Sequence, residues 1–362
     1  LRIQRLHLRN FRNLEDVGVE FGPSRNLIVG ANAQGKTNLL EAIHILGVGR
    51  SHRDRKDANL VRFGESYYRV EGIFDHIGVR TVVEVAYGDE RKRVRINSKE
   101  ARPADLIGLV AVVISSPDDI DLVKGSPSYR RTFLDMALSQ MSRDYLSNLQ
   151  HYVRSLAQRN RLLKRAQEGS LNRAETAAWD QRLIEAGARV VRARIGYLAD
   201  ICPTVENNFA RISGNRSTIE LIYDPRGYKL DKDTDVETGL ARALAATREV
   251  EIARGHTMSG PHVDDFKFLS DGRDIRQFGS EGEQRTAVLA LRCAEVHAIN
   301  TGTGRYPIVL LDDVFAELDE ARSRALTALI SDFDQIILTS SRPASLEDED
   351  MRRITVNAGR IN

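Results

Sequence analysis

Residues 30–37, Gly-Ala-Asn-Ala-Gln-Gly-Lys-Thr, fit the spacing G-x-x-x-x-G-K-[ST]. They follow a short apolar run, Asn26–Val29, and precede helical spacing of Leu39, Leu40, Ile43 and Leu46. A glycine-bracketed turn between strand and helix leaves backbone N–H groups free to surround a phosphate, and the helix N-terminus adds partial positive charge. The spacing therefore predicts a nucleotide cradle built from Gly30, Ala31, Asn32, Ala33, Gln34, Gly35, Lys36, Thr37 and Asn38. Lys36 would reach the β- and γ-phosphates, and the Thr37 hydroxyl would hold Mg²⁺. A P-loop of this kind commits the chain to an α/β core.

At 362 residues there is room for two domains, or for one domain with a large insertion. Charged residues make up 29% of the chain and no run of 18 apolar residues occurs, so a soluble protein without a membrane span is expected. The N-terminus, which starts at Leu1, carries no basic, apolar, small-residue leader pattern. Cys202 and Cys293 lack metal-ligand spacing and read as small buried residues in a reducing compartment. Net charge is only +2, so no global basic field announces a nucleic-acid partner. Only nine of the 53 basic residues are lysine; arginine forks suit phosphate, but genome composition can produce the same bias.

The first 115 residues read mainly as strands. Leu1, Ile3, Leu6 and Leu8 begin a period-2 pattern that slips once, and Tyr67–Phe74, Thr81–Tyr87 and Arg93–Asn97 look like an antiparallel meander. An apolar strand follows at Leu109–Ile114. After Pro127 the texture changes: Leu134, Leu138, Met141, Tyr145, Leu149, Tyr152, Leu156 and Leu163 recur at helical steps. A turn at 168–172 and a second run from Ala174 to Phe209 complete a helical hairpin, up to roughly 60 Å long at 1.5 Å per residue. Cys202-Pro203 is expected to kink or interrupt its return arm. From Ser217 strands and helices alternate, and after residue 280 the alternation is that of a parallel α/β unit. The expected layout is an ATPase head over 1–115 and 256–362, split by a mostly helical arm over 116–255.

Residues 308–313, Ile-Val-Leu-Leu-Asp-Asp, run four apolar residues into two carboxylates, the form of a Walker B strand. Asp312 would bind Mg²⁺, and Asp313 would orient or deprotonate the attacking water. By itself the run also suits an ordinary buried strand ending in a capping Asp; the P-loop tips the balance. Asp319 is well placed to cap the helix that follows. Gly279-Ser-Glu-Gly-Glu283 opens another helix and resembles the signature segment of ATP-binding-cassette ATPases, matching at Ser280 and Gly282. In that class the signature contacts nucleotide held by a second subunit. Ser280 is also a good plain N-cap. The order P-loop, insertion, signature, Walker B and Glu-Leu-Asp carries more weight than any one segment.

With these landmarks in place, the sequence resembles the RecF family, bacterial recombination-mediator ATPases related to SMC proteins. Leu8–Leu14, Ser51-His-Arg53, Pro117–Asp135, Ser259–Asp265 and Leu310–Leu326 carry the resemblance, with Val263 where the family places Arg. The resemblance implies an α/β ABC/SMC-type ATPase head with an antiparallel β meander and an inserted helical arm. It implies Arg12 and Asn13 as further nucleotide-binding residues, beside Ser280 and Gly282. It also implies a cytoplasmic protein of DNA repair, replication and the SOS response. Such a protein binds ATP and Mg²⁺, forms an ATP-dependent homodimer on duplex or gapped DNA, and works with RecR and RecO to load recombinase. Its ATPase activity would be weak and DNA-stimulated, a switch rather than a motor. Asp313 in place of Glu, Thr339 where many cassettes have a switch histidine, and no Q-loop glutamine near Ser115–Pro117 all suit slow turnover.

For DNA, Arg91, Arg93 and Arg95 would project from one strand face, while Arg154, Arg159, Arg161, Lys164 and Arg165 sit toward the hairpin tip. Either set is as readily a solvated face. No zinc finger or aromatic ladder is visible and Trp179 is the sole indole, which favours backbone binding over base reading. Other readings fit less well. A transporter ATPase lacks a membrane dock, an SMC-type bridge needs far longer arms, a GTPase lacks N-K-x-D, and a nuclease lacks clustered metal ligands.

Overall fold

The computed structural model describes residues 1–168, 173–214, 218–230, 235–341 and 351–361. They form two compact units, one of residues 1–119, 208–215 and 288–362, the other of residues 120–207 and 216–287. Part of the expected turn, 169–172, and Ser217 lie outside the described residues.

The first unit contains two six-stranded sheets. One is antiparallel. Its first strand, Arg2–Phe11, pairs with Leu14–Glu20 on one side and Tyr68–His76 on the other, and the meander continues through Val79–Gly88, Arg91–Ile96 and Lys99–Ala101. The slip in the period-2 pattern is a bulge: the register against Tyr68–His76 shifts between Ile3 and Arg5, which keeps Ile3, Leu6 and Leu8 buried on one face.

The other sheet holds Arg25–Val29 between Arg352–Asn357 and Gln335–Ser340, followed by Ile308–Asp312 and Val112–Ser115, all parallel. The short strand Arg360–Ile361 closes its far edge antiparallel. Strands Ile308–Asp312 and Gln335–Ser340 are buried at every position, as expected where a parallel sheet is covered on both faces. The sheet strand predicted from Leu109 begins at Val112.

Helix Lys36–Val48 packs against strands of both sheets, and 11 of its 13 residues are buried. A helix apolar on most sides fits such a double contact. Burying each of Leu39, Leu40, Ile43 and Leu46 contributes about 1.5–3 kcal/mol, which anchors the phosphate loop at the helix's first turn. Cys293 is buried in this unit, and burial pushes its thiol up to about 12.

The second unit combines helices Pro127–Met141, Arg143–Gln167, Val236–Arg254 and most of Arg173–Ser213 with a three-stranded antiparallel sheet. Two expectations change here. The apolar seam is not one helix: Ser142 is extended and its Oγ accepts from Tyr145 N at 3.1 Å, starting a new helix. Nor does Pro203 interrupt the return arm, since Arg173–Ser213 is helical through it.

The segment 256–287, assigned from sequence to the head, clusters with the helical unit. Strand Asp265–Ser270 pairs with Ile219–Asp224, and Arg130 forks onto Asp265 at 2.6 and 2.9 Å with both side chains buried. Arg130 Nη1 also donates to the Leu122 carbonyl. Pro117–Asp135 and Ser259–Asp265, two of the segments that carry the family resemblance, thus meet in one buried structural contact. Among the described residues, no helix is long and apolar enough to cross a membrane.

Candidate nucleotide-binding site

The phosphate loop has the geometry that its glycines predict. Gly35 sits at φ 114°, a conformation that L side chains rarely adopt, and an added Cβ would lie 2.8 Å from Asn13 Oδ1. At Gly30 an added Cβ would lie 2.3 Å from the Val356 carbonyl oxygen, a backbone atom that cannot turn aside. Ala33 is also left-handed, at φ 64°. The helix that follows has no side-chain cap, so its first N–H groups face the loop.

Each polar residue of the loop has a fixed place. The Lys36 ammonium folds back to donate to the Gly30 and Ala31 carbonyls at 2.8 and 3.0 Å. Gln34 joins loop to strand hairpin: its side-chain oxygen accepts from Ala358 N, and its carbonyl accepts from Gly359 N at 3.2 Å. Asn13 Nδ2 donates to the same carbonyl at 3.1 Å, while Asn38 Nδ2 donates to Asn13 Oδ1 at 2.8 Å. Asn32 accepts from the Gln34 side chain at its carbonyl.

Arg12 is held by Glu41, accepting Nε at 3.0 Å and Nη2 at 2.7 Å. Glu41 is fully buried. Burial would raise its pKa, but bonds from Arg12 and Ser51 outweigh this and hold it below the ordinary value. A buried carboxylate in a two-bond fork fixes a guanidinium strongly.

At the magnesium side, the Thr37 hydroxyl lies 2.9 Å from both oxygens of Asp312. Asp312 is buried and also accepts from Thr339 Oγ1 at 2.7 Å. Hard oxygen donors meeting at the foot of a phosphate loop fit Mg²⁺, which takes one or two protein ligands and completes its shell with phosphate and water. Thr339 Oγ1 also accepts from Asp313 N at 2.9 Å. Asp313 is left-handed at φ 50°, and its carboxylate has no partner among the described residues. A strained turn that leaves an acid free suits a water-orienting residue.

Both ring nitrogens of His52 are buried without a hydrogen-bond partner among the described residues. Its ring stands edge-on to His44 at 5.1 Å, and burial lowers its pKa although Glu41, Asp119 and Asp312 pull the other way. A buried polar group left unpaired costs about 1–3 kcal/mol, a cost that an arriving ligand oxygen or water would relieve.

The structure therefore brings together Lys36, Thr37, Asp312, Asp313, Arg12, Asn13 and Asn38. Ser280 and Gly282 belong to the other unit, where Ser280 Oγ accepts from Glu283 N at 3.2 Å and the Gly282 carbonyl accepts from Thr286. From sequence, no role is assigned to Glu41 or the 358–359 turn; Ser51 is marked only as part of the family resemblance and Thr339 only as standing in place of a switch histidine. A lone acid within an apolar helix was the available signal for Glu41.

Among the DNA candidates, Arg91, Arg93 and Arg95 are exposed, with Arg95 3.7 Å from Glu84. Arg159 is not available to phosphate. It is wholly buried, bound to Asp180 at 2.6 Å, Glu251 at 2.7 Å and the Thr257 hydroxyl at 2.8 Å. Arg154, Arg161, Lys164 and Arg165 remain exposed.

Comparison with known proteins adds to this geometry. The family model of the RecF/RecN/SMC N terminal domain matches residues 2–360. The chain is 39% identical over 368 residues to the DNA replication and repair protein RecF of Heliobacterium modesticaldum, covering 100% of this chain and 99% of that one. The RecF of Staphylococcus carnosus is 34% identical over 369 residues, with 100% of both chains covered. A solved structure of the recombination mediator RecF with ATP superposes with a TM-score of 0.91 at 32% identity, over 99% of this chain and 96% of that one. An SMC head bound to the C-winged helix domain of ScpA shares the fold, with a TM-score of 0.59 at 17% identity over 100% of this chain and 96% of that one.

Proposed function

The chain belongs to the RecF family of DNA replication and repair proteins, and from that premise we propose that it is an ATP-gated DNA clamp of recombinational repair. ATP binds at the loop Gly30–Thr37, two copies close on each other around it, and the closed dimer holds duplex or gapped DNA. RecR and RecO are its partners in loading recombinase.

The observation that carries the reading is the convergence of Lys36, Thr37 and Asp312 at a loop whose Gly30 and Gly35 admit no side chain. The Lys36 ammonium exchanges two loop carbonyls for β- and γ-phosphate oxygens, so little reorganisation accompanies binding. Thr37 and Asp312 are the residues that would hold Mg²⁺, which when bound offsets phosphate charge. Arg12, clamped by Glu41, and Asn13 line the loop where the nucleotide enters. Thr339 holds both the Asp312 carboxylate and the Asp313 backbone. The Asp313 carboxylate orients water toward the γ-phosphate. Its side chain is one methylene shorter than Glu, which suits slow hydrolysis that resets the clamp. Ser280 and its helix N-terminus would contact ATP held by the second copy.

The test is binding of a fluorescent gapped duplex with ATP·Mg²⁺, with ADP·Mg²⁺ and without nucleotide. Tight binding with ATP alone supports the clamp; equal binding in all three contradicts ATP gating.

A further inference from the structure

The helical unit contains a 370 Å³ cleft between helices Arg143–Gln167 and Arg173–Ser213, lined by Trp179, Arg182, Arg189, Glu185, Arg154 and His151. Its chemistry is unusual for this chain. The only tryptophan of the sequence is here, half-buried. The Arg182 guanidinium lies over its ring, 4.8 Å from the centroid. Trp179, Arg182 and Arg189 stand three and seven residues apart and so share one helix face. Arg154 faces them from the other helix. Neither Arg154 nor Arg182 has an ion-pair partner among the described residues, and Arg189 is engaged only with Asn148, at 3.3 Å. Glu185 is the single acid in the lining.

Three arginines against one carboxylate, none with an ion-pair partner among the described residues, call for an anionic ligand. An indole with a guanidinium on it calls for a flat one, because an unpaired base stacks on either surface. Duplex DNA presents phosphates but keeps its base faces covered; a single strand presents both. We propose that this cleft binds single-stranded DNA, with one unpaired base stacked on the Trp179–Arg182 pair and neighbouring phosphates on Arg154 and Arg189. The inference rests on the DNA-binding reading above, and it assigns the single-stranded part of a gapped substrate to the arm.

Because Trp179 is the sole indole, its emission reports on the cleft directly. The full chain is titrated with a 20-nucleotide oligo-dT, with duplex DNA of the same length, and with polyglutamate. Oligo-dT is expected to quench Trp179, with affinity falling as salt rises. The variant Arg154→Ala/Arg182→Ala should lose about tenfold in oligo-dT affinity and flatten the salt dependence by about 0.7 for each charge removed. Trp179→Ala should cost about tenfold, and Trp179→Phe, which preserves a stacking face, much less. Oligo-dT binding without a change in emission, or unchanged affinity in the double variant, overturns the site while leaving the DNA-binding reading intact. Equal quenching by polyglutamate overturns it in favour of an acidic protein surface. Absence of binding to any DNA form with ATP·Mg²⁺ present overturns both.

Discussion

Helix Lys36–Val48 starts from a left-handed glycine with no side-chain cap, whereas helix Glu281–Thr303 is capped by its own Ser280. The first also lacks acidic residues in its opening turn, while the second carries Glu281 and Glu283 there. The first N-terminus is therefore left unsatisfied by the chain and set up to receive an anion. At the second, Ser280 Oγ takes up the Glu283 N–H, and carboxylates offset the helix dipole. Its likeness to a nucleotide-contacting signature acquires meaning only if ATP arrives from a second molecule. Geometry within one chain identifies the first site; assembly must identify the second.

The largest effect that separates the two termini is expected at the loop. Lys36→Ala removes two charge-assisted bonds to phosphate, so ATP affinity should fall by about 100-fold or more, measured by calorimetry. The corresponding change at the second terminus, Ser280→Arg, should leave ATP binding by the monomer intact and abolish ATP-induced dimers. Loss of both would merge the two termini into one site and break the comparison. Ser280→Ala isolates the capping role, and should lower folding stability by about 1 kcal/mol in denaturant titrations.

A smaller effect is expected at Glu41. Glu41→Gln weakens the fork on Arg12, worth about 1.5–3 kcal/mol, and should raise the ATP dissociation constant about tenfold if Arg12 contacts nucleotide. Unchanged affinity would confine Arg12 to joining the antiparallel sheet to the loop helix.

The smallest concerns pH. Burial, with His52 beside it, holds the His44 imidazole well below its ordinary value. Below about pH 6.5 the unfolded chain takes up this proton and the native state does not, so stability is full above that pH and falls as pH drops. His44→Gln should flatten the fall in Tm between pH 7.5 and 5.5, by at most about 1.4 kcal/mol per pH unit. A steeper fall in the variant would contradict the sign.

What could be read from sequence follows the range of the forces involved. The phosphate loop was legible because its demands are local: two glycines, a lysine and a threonine at fixed spacing decide the backbone. The slip in the first strand was likewise visible, since a bulge breaks the alternation at that point. Ser142 was not, because serine within an apolar helical pattern is ordinary, and only its capping bond shows that the chain turns. Arg159 was misplaced for a different reason. Its partners Asp180, Glu251 and Thr257 come from other helices and a distant loop, and no local pattern announces a buried cation. The same holds for residues 256–287, whose place depends on pairing with Ile219–Asp224 and on the Arg130–Asp265 fork. Glu41, which escaped notice, and Thr339, marked only for the histidine it replaces, hold Arg12, Asp312 and Asp313 in place.

The most direct test of the account is the molar mass in solution with and without ATP·Mg²⁺, repeated with duplex DNA and with Lys36→Ala. The 40.6 kDa chain should double in mass with ATP·Mg²⁺, and the variant should stay monomeric. A wild-type chain that binds ATP yet remains a monomer, with or without DNA, would reduce Ser280 to a helix cap and contradict the ATP-closed clamp.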